Sequence, residues 1–97
     1  LYTIRTPRRD AVAEALKAAG IPFGIYYPKP LHAQPAYAGA HASALAGGPE
    51  PLPVSEALCH EVLSLPMHPY LTEAEVERVC AAVLPAGAFP DGRGVIR

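Results

Sequence analysis

Positive charge is in short supply: eight Lys and Arg against nine Asp and Glu leave a formal net charge of -1 over 97 residues. Binding to a phosphate backbone feeds on a basic field, so nucleic acid is excluded as a partner class. Long apolar runs are lacking too. None approaches the roughly 18 residues a membrane-spanning helix needs, and no basic-then-apolar leader opens the chain, so the expectation is a cytoplasmic protein without a membrane partner. Cysteine is sparse. Cys59 and Cys80 form no CxxC pair and read as free buried thiols rather than a disulfide. Together with His32, His41, His60 and His68 they match none of the compact spacings of structural zinc, so no metal site is expected. Large apolar side chains are few as well, because alanine takes much of the 51% apolar content. The core must be thin, and the length suffices for one domain only.

What is present has a readable order. Leu1 to Ile4 suits a first strand. Thr6 and Pro7 read as a cap and first helical residue, and Val12, Leu16 and Ala19 put one apolar stripe on a helix over 7–19 that Gly20 ends in the left-handed conformation. Ile21 to Tyr27, β-branched and aromatic but interrupted by Pro22 and Gly24, predicts a second strand. Pro28, Pro30 and Pro35 then stiffen a loop, and residues 36–51 have the composition of a mobile surface loop. Pro53 to Glu61, with Val54, Ala57 and Leu58 on one face, predicts a short helix, and Val62 to Leu65 a third strand. Thr72 and Glu75 spell a capping box with Leu71 and Val76 as its hydrophobic staple; Val76, Val79, Cys80 and Val83 would be buried, and Pro85 with Gly87 would end the helix. The fold class is therefore α+β: a small three-stranded, mainly antiparallel sheet with helices on one face. Residues 1–84 make the domain and 85–97 a flexible tail.

Two readings of the chemistry stay open on residues alone. His32 lies in the proline-stiffened loop near Tyr26, Tyr27, Lys29 and Gln34, a rigid display of imidazole, phenol and ammonium suited to a phosphorylated or hydroxylated ligand. On the other reading Pro and Tyr simply pack the loop on the sheet, and His32 is a solvated or capping residue. Ser43, Ser55 and Ser64 sit in no nucleophile elbow, and Gly47-Gly48 is not followed by a phosphate-loop lysine. Arg8, Arg9 and Asp10 read as a solvated helix start.

Read as a line of text, Tyr2-Thr3-Ile4, Arg9-Asp10, Leu16 with Ala19-Gly20-Ile21, Tyr27-Pro28-Lys29-Pro30-Leu31-His32 and Leu63-Ser64-Leu65-Pro66-Met67-His68-Pro69 resemble the C-terminal segment of the DegT/DnrJ family. These are pyridoxal-phosphate enzymes that aminate keto sugars carried on a nucleotide. The resemblance covers about residues 2–84; the Ala/Gly-rich stretch from Ala36 to Pro51 and the tail from Pro85 depart from it. It implies the small domain of an aspartate-aminotransferase-like (type I) fold, with a missing N-terminal large domain that carries the cofactor lysine. Cofactor-binding and catalytic residues are therefore expected to be absent here, pyridoxal 5'-phosphate belonging to the parent enzyme, a homodimer acting on a nucleotide-linked keto sugar and an amino donor. His32 would inherit a place near the sugar nucleotide, with Tyr27 and Lys29 beside it. The chain opens on Leu1 rather than Met, which fits a piece of something longer. The alternative is a free-standing binding or dimerisation module of the same fold without catalysis; a plain structural domain with no ligand is what composition alone suggests.

Overall fold

The computed structural model describes residues 1–38, 52–87, 89 and 95–96. In chain order its elements are β1 (Tyr2–Arg5), α1 (Arg9–Ala18), a 3-10 turn (Leu31–Ala33), α2 (Pro35–Ala38), α3 (Pro53–Glu61), β2 (Val62–Leu65), α4 (Glu73–Gly87) and β3 (Val95–Ile96). β1 and β2 run antiparallel, with Tyr2 opposite Leu65 and Ile4 opposite Leu63. Side chains alternate across a strand, so Ile4 and Leu63 share one face and join Val12, Leu16, Ile21 and Val83 in the core. On the other face the Thr3 and Ser64 hydroxyls hydrogen-bond at 2.9 Å. α1 and α4 pack on each other over the apolar face. The α+β class and the antiparallel pairing of the sheet follow the sequence reading.

The strand expected over 21–27 is a correction. Only Gly24 pairs there, exchanging two backbone hydrogen bonds with Ser64 at 2.7 and 3.0 Å. Pro22 has no amide hydrogen to extend the ladder, and the Tyr26 ring folds back so closely that a Cβ on Gly24 would lie 2.5 Å from it. The sheet is instead a four-residue pair, β1 with β2, whose far edge takes the two residues of β3, Ile96 opposite Thr3 and Val95 opposite Ile4. Of the expected tail, 85–87 belong to α4 and Val95–Ile96 to this sheet edge; apart from Phe89 the rest of it lies outside the described residues. The loop expected at 36–51 overlaps α2 at its start, and 39–51 lie outside the described residues.

α1 starts two residues later than expected, and Thr6 does not cap it. Thr6 is buried: its amide donates to the Glu61 carbonyl at 2.9 Å, and its hydroxyl accepts the Arg8 amide at 3.1 Å and donates to the Gly87 carbonyl at the end of α4. The hydroxyl oxygen is positioned by the chain to accept from Arg8, ahead of the helix, while its hydrogen satisfies a carbonyl at the buried end of α4 that has no intrahelical partner. The other end follows expectation. Gly20 takes φ +68°, and the amides of Gly20 and Ile21 reach back to the carbonyls of Lys17 (3.1 Å) and Leu16 (2.9 Å), the paired bonds of a Schellman stop.

Two expected helix faces hold only in part: Val79 and Val83 of α4 turn inward and Ala57 and Leu58 of α3 are half-buried, as expected, while the other expected residues are exposed. In α3 Val54 is 70% exposed, and the buried residue is Cys59. In α4 Val76 and Cys80 are exposed, and the inward stripe is Val79, Ala82, Val83 and Ala86. Both thiols are free, but only Cys59 is buried. Pro85 does not end α4, which runs on to Gly87. The carbonyl Pro85 leaves unpaired is that of Ala81, an exposed residue where water can serve.

Candidate functional site

Beyond the Gly24 bridge the chain enters the proline loop, and the prolines dictate its course. Pro30 holds an extended conformation (φ -66°, ψ 152°) and its carbonyl accepts the Ala33 amide at 3.0 Å, closing the 3-10 turn over Leu31–Ala33. The Gln34 amide bonds the Leu31 carbonyl at 3.1 Å, and its side chain reaches the Lys29 carbonyl at 3.4 Å. The loop is thus tied to itself and carries its side chains on a fixed frame.

His32 turns from this loop toward α3. Its Nε2 lies 3.0 Å from Oε1 of Glu56, in the first turn of that helix, and the same oxygen accepts the Leu52 amide at 3.4 Å. The His32 side chain is 23% exposed, so the ring is partly open to solvent. Between loop and helix runs a groove of about 520 Å³. Tyr27, Lys29 and His32 line it from the loop, and Ser55, Leu58 and Cys59 from α3. One wall supplies an ammonium, a phenol and an imidazole, and the other is mainly apolar, a division suited to a ligand with an anionic or hydroxylated side and a ring to lay against carbon. The Tyr26 and Tyr27 rings meet edge to face at 5.9 Å, which restrains the aromatic end of the groove.

All three residues singled out in the sequence, His32, Tyr27 and Lys29, line this one groove. Glu56 was missed. Its only mark in the sequence is an acidic residue three positions after Pro53, which the helix dipole alone would explain. The other histidines do not gather here: His60 is exposed, the His68 ring accepts the Tyr70 amide at 3.2 Å in a turn, and His41 lies outside the described residues. Among the described residues no three His, Cys, Asp or Glu side chains come together as a metal site, and no helix is long and apolar enough to cross a membrane. Arg9, expected in a solvated helix start, is buried. Its guanidinium donates to the carbonyls of Cys59 (3.2 Å) and Val62 (3.4 Å), fastening α1 to the junction of α3 and β2.

Comparison with known proteins bears on what this frame is. A solved aminotransferase of the DegT, DnrJ, EryC1 and StrS group from Brucella abortus superposes with a TM-score of 0.72 at 46% identity, over 90% of this chain and 22% of that one. Among curated proteins the chain is 44% identical over 82 residues to a UDP-2-acetamido-2-deoxy-3-oxo-D-glucuronate aminotransferase of Pseudomonas aeruginosa, covering 84% of this chain. It is 43% identical over 84 residues, 86% of this chain, to a dTDP-3-amino-3,4,6-trideoxy-alpha-D-glucose transaminase of Streptomyces venezuelae. The chain spans 21% of the length of each of these two relatives. The model of the DegT/DnrJ/EryC1/StrS aminotransferase family matches residues 1–84, and the chain belongs to that family.

Proposed function

We propose that residues 1–84 form the C-terminal small domain of a pyridoxal-phosphate-dependent nucleotide-sugar aminotransferase, and that their part is to close one side of the substrate cleft. The observation that carries this reading is the convergence of Tyr27, Lys29 and His32 on one groove. The names of the relatives support a sugar linked to a nucleoside diphosphate as the substrate class. Lys29 would draw the negative charge of the diphosphate, Tyr27 would offer a flat apolar face, and His32 would hydrogen-bond a polar group of the sugar. A loop already fixed by Pro28, Pro30 and its own backbone bonds loses little entropy on binding, so these contacts go largely into affinity.

Pyridoxal phosphate supplies the chemistry of amino-group transfer when bound, and the described residues do not fit it. Lys17 is exposed in the last turn of α1, outside the groove lining. Lys29 does line the groove, but among the described residues no Asp or Glu lines it with Lys29, and Glu56, the carboxylate nearest His32, already accepts from His32 and the Leu52 amide. The cofactor lysine is therefore assigned to the large domain of the parent, a cytoplasmic homodimer in this reading, and no reaction step is assigned to this chain.

The test is steady-state kinetics of the full-length parent carrying His32→Ala, beside a cofactor absorbance spectrum of the same variant. Loss of a hydrogen bond to the sugar lowers kcat/KM by about five- to two-hundred-fold. Bound pyridoxal phosphate is retained. Wild-type kinetics would refute the assignment of His32, and loss of the cofactor would move the loop to the cofactor pocket.

A further inference from the structure

The His32 ring is held by a partner that does more than fill space. An ionised carboxylate can only accept hydrogen bonds, so the 3.0 Å contact between His32 Nε2 and Glu56 Oε1 requires the ring to carry its hydrogen on Nε2. In the neutral ring the lone pair then resides on Nδ1, which has no hydrogen-bond partner among the described residues. The same oxygen also accepts the Leu52 amide at 3.4 Å, which ties the carboxylate to the start of α3. Tautomer and ring orientation thus follow from the position of one helix.

We propose that Glu56 is a positioning residue that sets the tautomer of His32, so that Nδ1 meets the ligand as a hydrogen-bond acceptor and selects a donor group, a sugar hydroxyl or an amide N–H, over a phosphate oxygen. This rests on the reading of the groove as a substrate wall and adds a division of labour to it. Lys29, a charged donor on the same wall, is suited to the phosphates, and Nδ1 to the sugar. A deprotonated phosphate oxygen against an acceptor nitrogen would be repelled. Tyr27, Ser55 and Cys59 are the other polar side chains lining the groove, and none of them is hydrogen-bonded to the ring.

The experiment uses the full-length protein labelled with nitrogen-15 in histidine, with the His32 signals identified by their absence in His32→Gln. In wild-type protein the neutral ring shows its hydrogen on Nε2. Glu56→Ala removes that preference and mixes the tautomers, whereas Glu56→Gln, which keeps a carbonyl oxygen as acceptor, largely preserves it. A purely structural role for Glu56 at the start of α3 would move the melting temperature and leave the tautomer alone. In kinetics Glu56→Ala raises KM for the nucleotide sugar about tenfold with kcat within about threefold, and Glu56→Gln restores most of the loss. An unchanged tautomer in Glu56→Ala overturns the proposal. A shifted tautomer with unchanged KM also overturns it: if His32→Ala still raises KM, the positioning inference alone has failed, and if His32→Ala is silent too, the reading of the groove has failed with it.

Discussion

Arg9 shows how far a single side chain can stand from its sequence context. Flanked by Arg8 and Asp10 at a helix start, it has every mark of a solvated charge, yet it bridges α1 to two carbonyls where α3 passes into β2. Its contact with Asp10 adds little, because that carboxylate is 88% exposed and screened by water. The carbonyl bonds are nearly dry, and losing them strands two acceptors. Replacing Arg9 by Ala should therefore cost about 2 to 3 kcal/mol in denaturant unfolding, and Arg9→Lys, a point charge that cannot span both oxygens as the guanidinium does, should recover only part. A midpoint unchanged in Arg9→Ala would return Arg9 to the solvated face. Nothing in its neighbours' identity announces this role, because the acceptors come from residues fifty and more positions away.

At the scale of elements, local chemistry is most legible where both partners lie within one turn. The Thr72 hydroxyl accepts the Glu75 amide at 3.2 Å and the Glu75 carboxylate accepts the Thr72 amide at 2.8 Å, the reciprocal box its sequence spells. Thr72→Ala should destabilise the domain by about 1 kcal/mol, measured by the denaturation midpoint. The Glu75 carboxyl is held below its ordinary value of 4.5, first by the Thr72 amide and then by the Thr72 side chain, with smaller help from the charges of His68 and Arg78. Because the folded value is the lower one, the stabilisation is complete above 4.5 and fades as pH falls through the folded value. The gap in melting temperature between wild type and Glu75→Ala should accordingly hold steady above pH 4.5 and narrow below it. A gap that widens on acidification would reverse the sign argued here. Gly20 gives a second local test. A Cβ there would meet nothing nearer than an Arg78 nitrogen at 4.0 Å, so only the positive φ opposes it, and Gly20→Ala should cost about 1 kcal/mol. A neutral result would mean that α1 ends equally well without a left-handed residue.

For the whole molecule, the thin core foreseen from the alanine content concentrates stability in a few side chains. Leu63 is fully buried between α1 and α4, and Leu63→Ala should cost about 2 to 5 kcal/mol, the upper part of the range if the helices cannot close over the cavity. Calorimetry of the chain would register it as a large fall in melting temperature. The 97-residue chain should also form no saturable, borohydride-trappable adduct with pyridoxal phosphate, since neither Lys17 nor Lys29 has the surroundings of a cofactor lysine. Peptide mapping after reduction checks this, and a stoichiometric label on one lysine would contradict it.

The sequence by itself determined whatever depends on neighbours a few residues apart: the span of α3 behind Pro53, the capping box of α4, the Gly20 stop, the β2 segment and the stiffness of the proline loop. It also placed Tyr27, Lys29 and His32 close enough together in one rigid segment to be read as a group. Tertiary structure decided that Ala82 and Ala86 rather than Val76 and Cys80 join Val79 and Val83 on the inward face of α4, because a helix with apolar residues on several sides is oriented by what packs against it, here α1 and the Ile4–Leu63 pair. It decided that Ile21 to Tyr27 joins the sheet at one residue, since the fold-back of Tyr26 over Gly24 cannot be inferred from β propensity. It supplied Glu56 to His32 from 24 positions away, a pairing set by the docking of a helix against a loop and written in neither segment.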